Sequence, residues 1–186
     1  MDWLLYKNTY WNYFEQLEKD FFDTSIYCEI DDCNKSSYSI KYLQALLSIC
    51  GEIDTIFKTF CKKLDLSLDI DTCGIDDYIR VIKQSYPTFA MEKVVLVGYK
   101  YSELVPWKSI DKNFPPNFWK IYNKVKHHRD SASNGKKNYK YANQKTVLEA
   151  LSALYVLEQY WVAYNFIDEG IKENTIIPRL SQKNYH

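Results

Sequence analysis

The feature that most constrains this chain is one long apolar rhythm. In "SYSIKYLQALLSICGEIDTIFKTFCKKL", Ile40, Leu43, Leu46, Leu47, Cys50, Ile53, Ile56, Phe57, Phe60 and Leu64 recur at three- and four-residue spacing. That spacing keeps them on one side of an α-helix for about seven turns. It predicts a core helix over 38–64, with Ser36, Ser37 or Ser39 as its N-cap. Gly51 falls inside this helix and costs about 1 kcal/mol relative to Ala, which points to a close helix contact or a mild kink. Glu52, Asp54 and Lys58 lie on or beside the stripe, with Asp54 and Lys58 spaced for an i to i+4 ion pair.

A second long segment, "YANQKTVLEALSALYVLEQYWVAYNFI", predicts a helix over 139–165 with Val147, Leu151, Leu154, Tyr155, Leu157 and Trp161 inward. Each stripe is too apolar to face water alone, so the two must bury against other helices. Shorter helices are expected at "YKNTYWNYFEQLEKDFF", at "IDDYIRVIKQSYP" with Asp76 and Asp77 in its first turn, and over 116–129. Only five Gly and five Pro occur in 186 residues, and no Pro/Gly/Ser-rich linker divides them, which predicts one mainly α domain over 1–186. Two Val- and Ile-containing stretches, 24–30 and 93–100, are the candidate strands of a small two-stranded element.

Five cysteines, Cys28, Cys33, Cys50, Cys61 and Cys73, form no C-x-x-C pair and follow no signal-peptide pattern. Free thiols in a reducing, cytoplasmic compartment are expected. Cys28 and Cys33 match no common zinc spacing, so no metal site is expected. The sequence contains no Gly-rich phosphate loop, no G-x-S-x-G elbow and no H-E-x-x-H pair, and no cofactor is expected. No apolar run approaches the about 18 residues that span a bilayer, and no membrane role is expected.

A formal net charge of zero hides a strong asymmetry. Residues 1–92 hold 9 basic and 16 acidic side chains, whereas residues 93–148 hold 12 basic and 3 acidic. The densest basic stretch carries Lys120, Lys124, Lys126, Arg129, Lys136, Lys137 and Lys140, with Tyr122, Tyr139 and Tyr141 interleaved. Cations between aromatic rings suit phosphate contact with base stacking, so RNA is the candidate partner, with His128 in the same basic run. A solvated helix-loop-helix face is the alternative reading of the same charges. On a helix, Asn123 and His127 are i and i+4 and share a face, with Lys120 one turn further back.

The string "PPNFWKIYNKVKHHR", the upstream "CGEIDTIFK" and the downstream "YANQKTVLEALSALYVLEQYW" together resemble bacterial HEPN-type helical domains over about residues 38–165. That resemblance implies a four- or five-helix bundle that forms a homodimer. It further implies a metal-independent RNase of the toxin-antitoxin or phage-defence kind, partnered by an antitoxin or another protein. The HEPN hallmark places an Arg before the His; here Arg129 follows His127, and Asn123 and Lys120 occupy the earlier positions. Non-catalytic dimerisation or RNA- and partner-binding modules of the same kind are the alternative that this departure implies.

The residues can also be weighed as chemistry. Cleavage through a 2′-hydroxyl needs a group that titrates near neutrality and cations beside the phosphorus oxygens. His127 with Arg129 and Lys126 would supply both. Asn123 would orient the imidazole or hold a phosphate oxygen, and Glu52 or Asp54 would fix the tautomer or the guanidinium.

Overall fold

The structure, a computed structural model, describes residues 2–166 and 179–180. Helix α1 (Trp3–Tyr6) starts at Asp2, whose side chain accepts from Leu5 N at 2.8 Å. It runs through a π-type stretch, Lys7–Trp11, into α2 (Asn12–Phe22). The dominant helices are α3 (Ile40–Leu64) and α6 (Gln144–Phe166), with α4 (Ile75–Ser85) and α5 (Asn117–His128) between them in the chain. Ser39 is the N-cap of α3, accepting from Tyr42 N at 3.1 Å, and Asn143 caps α6, accepting from Thr146 N at 3.0 Å. The mainly α bundle expected from periodicity is present, and its helix ends fall within a few residues of the expected ones. Among the described residues, no helix is long and apolar enough to cross a membrane.

Helix α6 is the axis of the bundle. From Thr146 to Glu158 it is buried on nearly every side, Glu149 excepted, which is wider than the single stripe expected of it. Helix α3 packs along it most extensively, and α2 and α5 cover further sides. The loop before α5 is locked to the same axis: Trp107 is fully buried and its Nε1 donates to Ala153 O at 3.0 Å. Around that indole, Phe57, Phe89 and Phe118 sit with ring centroids 5.3, 5.4 and 5.6 Å away. Such edge and tilted aromatic contacts add to the area they bury.

The strands differ from expectation. Residues 24–30 form no strand: Asp23–Ile26 is a 3-10 turn, closed where Tyr27 N and Cys28 N both donate to Thr24 O at 3.0 Å. Within 93–100, Val94 forms an isolated antiparallel bridge with Leu104, and the short β1 (Val95–Leu96) pairs in parallel with β4 (Arg179–Leu180). The antiparallel pair lies elsewhere, between β2 (Ala132–Ser133) and β3 (Lys136–Lys137). Asn134 and Gly135 join these at φ of 51° and 73°, the left-handed pair of a tight two-residue hairpin. Of the two alternatives at Gly51, the close helix contact is not the one used, because nothing outside its own helix lies within 4 Å of where a Cβ would stand.

Candidate nucleic-acid interface

Helix α5 presents Phe118, Trp119, Ile121, Tyr122 and Val125 to the core, which leaves Lys120, Asn123, Lys124, Lys126, His127 and His128 in solvent. Its last turn is basic, which complements the negative end of the helix dipole. The chain then turns back in the β2–β3 hairpin and is clamped under the helix end. The clamp is Asn138, only 3% exposed, whose Nδ2 donates to His128 O at 2.7 Å and whose Oδ1 accepts from Ser133 Oγ at 2.9 Å. Lys137 Nζ donates to Asp130 O at 2.6 Å, and Tyr141 Oη donates to Ser133 O at 2.6 Å.

This folding-back gathers lysines and tyrosines that are far apart in the chain. Tyr38 enters from the segment before α3, paired with Asn143 as an isolated bridge, and its side chain is 46% exposed. Its ring lies edge-on to Tyr139 at 6.1 Å. Lys140 Nζ stands 5.2 Å from the Tyr38 centroid and 5.9 Å from that of Tyr139; Lys136 Nζ stands 5.0 Å from Tyr141 and 5.7 Å from Tyr38. Lys124 of α5 completes the group, 6.0 Å from Tyr141. Among the described residues, none of these three lysines pairs with a carboxylate, whereas Lys35, Lys58, Lys93 and Lys145 pair with Asp32, Asp54, Glu103 and Glu149. The Tyr38 hydroxyl beside Lys140 holds that amine above the ordinary lysine range. Two further lysines of α5 cover rings nearby in sequence, Lys120 over Phe114 and Lys126 over Tyr122.

His127 and His128 are exposed, with ring centroids 6.4 Å apart. Asn123, His127 and Arg129 make no side-chain hydrogen bond or ion pair among the described residues. The two acidic candidates on α3 are engaged elsewhere. Asp54 pairs with Lys58 at 2.9 Å, as its spacing predicts. Glu52 is 9% exposed, with burial pushing its carboxyl up to about 7, and its charge acts on Glu158 of α6. Neither acid bonds to His127 or Arg129, so the fold holds the basic cluster together and leaves the expected acidic partners outside it.

Sequence reasoning placed the lysines and missed what organises them. Tyr38 stands in a run read only as a helix cap, and its bridge to Asn143 spans more than a hundred residues of sequence. The Asn-Gly pair at 134–135 is a hairpin signal and was legible. Compared with known proteins, the chain matches no family model, no curated protein and no solved structure.

Proposed function

We propose that this chain binds single-stranded RNA on the lysine–tyrosine face built by α5, the β2–β3 hairpin and Tyr38. The observation that carries this is the placement of Lys124, Lys136 and Lys140 over tyrosine rings and away from carboxylates. An exposed cation–ring contact is worth only about 0.5–1 kcal/mol, so a phosphate can draw the ammonium off at little cost and leave the ring for a base. Lys120, Lys126 and Lys137 extend the positive surface, with His128 beside them.

Fluorescence anisotropy with a labelled oligouridylate, titrated with salt, tests the reading. Binding should weaken linearly on a logarithmic salt scale, and replacing Lys124, Lys136 and Lys140 together by Ala should flatten that slope by about 2. Tyr38→Ala should cost about 1–3 kcal/mol of binding with the salt slope kept. Binding that ignores both variants would sink the assignment.

A second reading is favoured by one placement: His127 and His128 sit one turn beyond Lys124, at the edge of the same face. There His127 would take the proton of a 2′-hydroxyl that attacks the adjacent phosphorus and displaces the 5′-oxygen of the next nucleotide, which takes a proton from water and leaves a 2′,3′-cyclic phosphate, with Arg129 and Lys126 stabilising the oxygens and Asn123 positioning the chain. If the bound RNA is cut, His127→Ala should slow cutting at least about a hundredfold, while His128→Ala should do much less. A 2′-deoxy oligonucleotide should bind and remain whole. Homodimerisation belongs to the same proposal, since Trp3, Leu4 and Leu5 are 54%, 66% and 54% exposed on one short helix. Light scattering with and without RNA tests it.

A further inference from the structure

A cleft of about 350 Å³ shares none of its lysines or tyrosines with the lysine–tyrosine face. It lies where the starts of α5 and α6 meet the loop 101–109. Lys35, Lys108 and Lys145 line it. Lys35 is held by Asp32 at 2.8 Å and lies 5.3 Å from the Tyr101 ring, and Lys145 is 3.6 Å from Glu149. Lys108 has no carboxylate partner among the described residues. Of the acidic residues in the lining, Glu103 is paired with Lys93 at 3.0 Å and Glu149 with Lys145. Among the described residues the cleft therefore carries one uncompensated positive charge, that of Lys108.

Two further features make this more than a charged hollow. Tyr101 and Ser109 both line the cleft, and each has its hydroxyl sequestered from solvent without a hydrogen-bond partner in the fold. Leaving a buried hydroxyl unpaired is costly, and the lining of this one cleft holds two. Helix α5 also begins here: Pro116 and Asn117 line the cleft, and no side chain caps the first turn. Its leading amides are left for an anion, where the helix dipole favours negative charge. Leu104 and Phe118 give the remainder an apolar wall.

We propose that this cleft is a phosphomonoester site, in which Lys108, Ser109 and the start of α5 hold the phosphate of a mononucleotide-sized ligand and Tyr101 and Leu104 receive its organic part. The volume falls within the range of about 300–1,000 Å³ usual for small-molecule pockets. The same chemistry is carried by a free nucleoside monophosphate and by the 5′ end of an RNA.

Calorimetry on the full chain, with inorganic phosphate, AMP, adenosine and the dinucleotides pUpU and UpU as probes, tests the proposal. AMP should bind at least about tenfold more tightly than adenosine, because the charge-assisted contacts are made by the phosphate, and inorganic phosphate should compete. Lys108→Ala and Ser109→Ala should each weaken AMP about tenfold. Lys108 is exposed, so that variant should fold normally. AMP tighter than pUpU would assign the site to a free nucleotide; pUpU tighter than both AMP and UpU would assign it to an RNA end, and either keeps phosphomonoester recognition. Adenosine binding as well as AMP, no phosphate probe binding at millimolar concentration, or AMP binding untouched by both variants would overturn it. The variant with Lys124, Lys136 and Lys140 replaced should keep AMP binding, so failure of the RNA-binding reading and failure of this one are separable.

Discussion

Gly51 is a residue whose meaning changes once its surroundings are known. In the middle of α3 a glycine costs helix stability through backbone entropy, and the usual compensation is a neighbour that a Cβ would strike. No atom beyond the neighbouring residues and backbone of its own helix lies within 4 Å of that Cβ position, so the cost stands uncompensated. Gly51→Ala should therefore stabilise the protein by about 1 kcal/mol and raise Tm by about 2–4 °C. A lower Tm would show that the glycine is needed for something the packing does not reveal. Asn138 is the opposite case, a small polar residue in an ordinary-looking loop that turns out to be 3% exposed and bonded to both His128 and Ser133. Asn138→Ala should cost about 1–3 kcal/mol, read by thermal denaturation, because the His128 carbonyl and the Ser133 hydroxyl would lose their partner. Nothing in a linear sequence marks such a residue, since its contacts obey no period.

At the scale of elements, legibility followed length. Helices α3 and α6 run 25 and 23 residues, long enough for an apolar period of 3.6 to repeat and declare itself. Each strand is two residues long, too short for an alternation to register, and the partner of β1 lies beyond α6 in the chain. The stretch 24–30 carries strand-like Ile and Tyr, yet Thr24 ties the chain back on itself by donating through Oγ1 to Phe21 O at 2.6 Å. Local side-chain to backbone bonds of this kind override weak β preference. For the candidate interface, the charges and the interleaved Tyr139 and Tyr141 were visible in sequence and the place of Tyr38 among them was not, because the hairpin and the Tyr38–Asn143 bridge bring it there. Gly135 is the point on which that hairpin depends, at φ 73°. Gly135→Val should strain the turn, loosen Lys136 and Lys137, and weaken RNA binding several-fold while Tm moves by only a few degrees. Unchanged RNA affinity in that variant would mean the hairpin does not form the face.

The whole molecule carries an electrostatic burden at its centre. Glu158 of α6 is fully buried, its Oε2 accepting from Tyr6 Oη at 2.8 Å while Oε1 has no hydrogen-bond partner. Burial pushes this carboxyl up to about 8, and Glu52 beside it is pushed to about 7 for the same reason. The Tyr6 hydroxyl is pushed far up, again chiefly by burial, so it remains a donor throughout. In the unfolded chain both glutamates ionise near 4.5, so above that pH the unfolded state has released protons that the folded state still holds. Stability from these two groups is thus complete below about pH 4.5 and falls as pH rises toward 8. Each pH unit of separation is worth about 1.4 kcal/mol. Surface aspartates act in the opposite direction in another window: Asp32 is lowered to about 2 by its contacts with Lys35 and Ser102, so stability from it is lost only in strong acid. Tm should therefore be highest near pH 5 and drop steadily to pH 8. Glu158→Gln keeps an acceptor for Tyr6 and removes the charge, so it should flatten that decline and melt higher than the wild type at pH 8. A Tm that holds constant or climbs from pH 5 to pH 8 in the wild type would show that the buried carboxyls are ionised in the fold and compensated by contacts other than Tyr6.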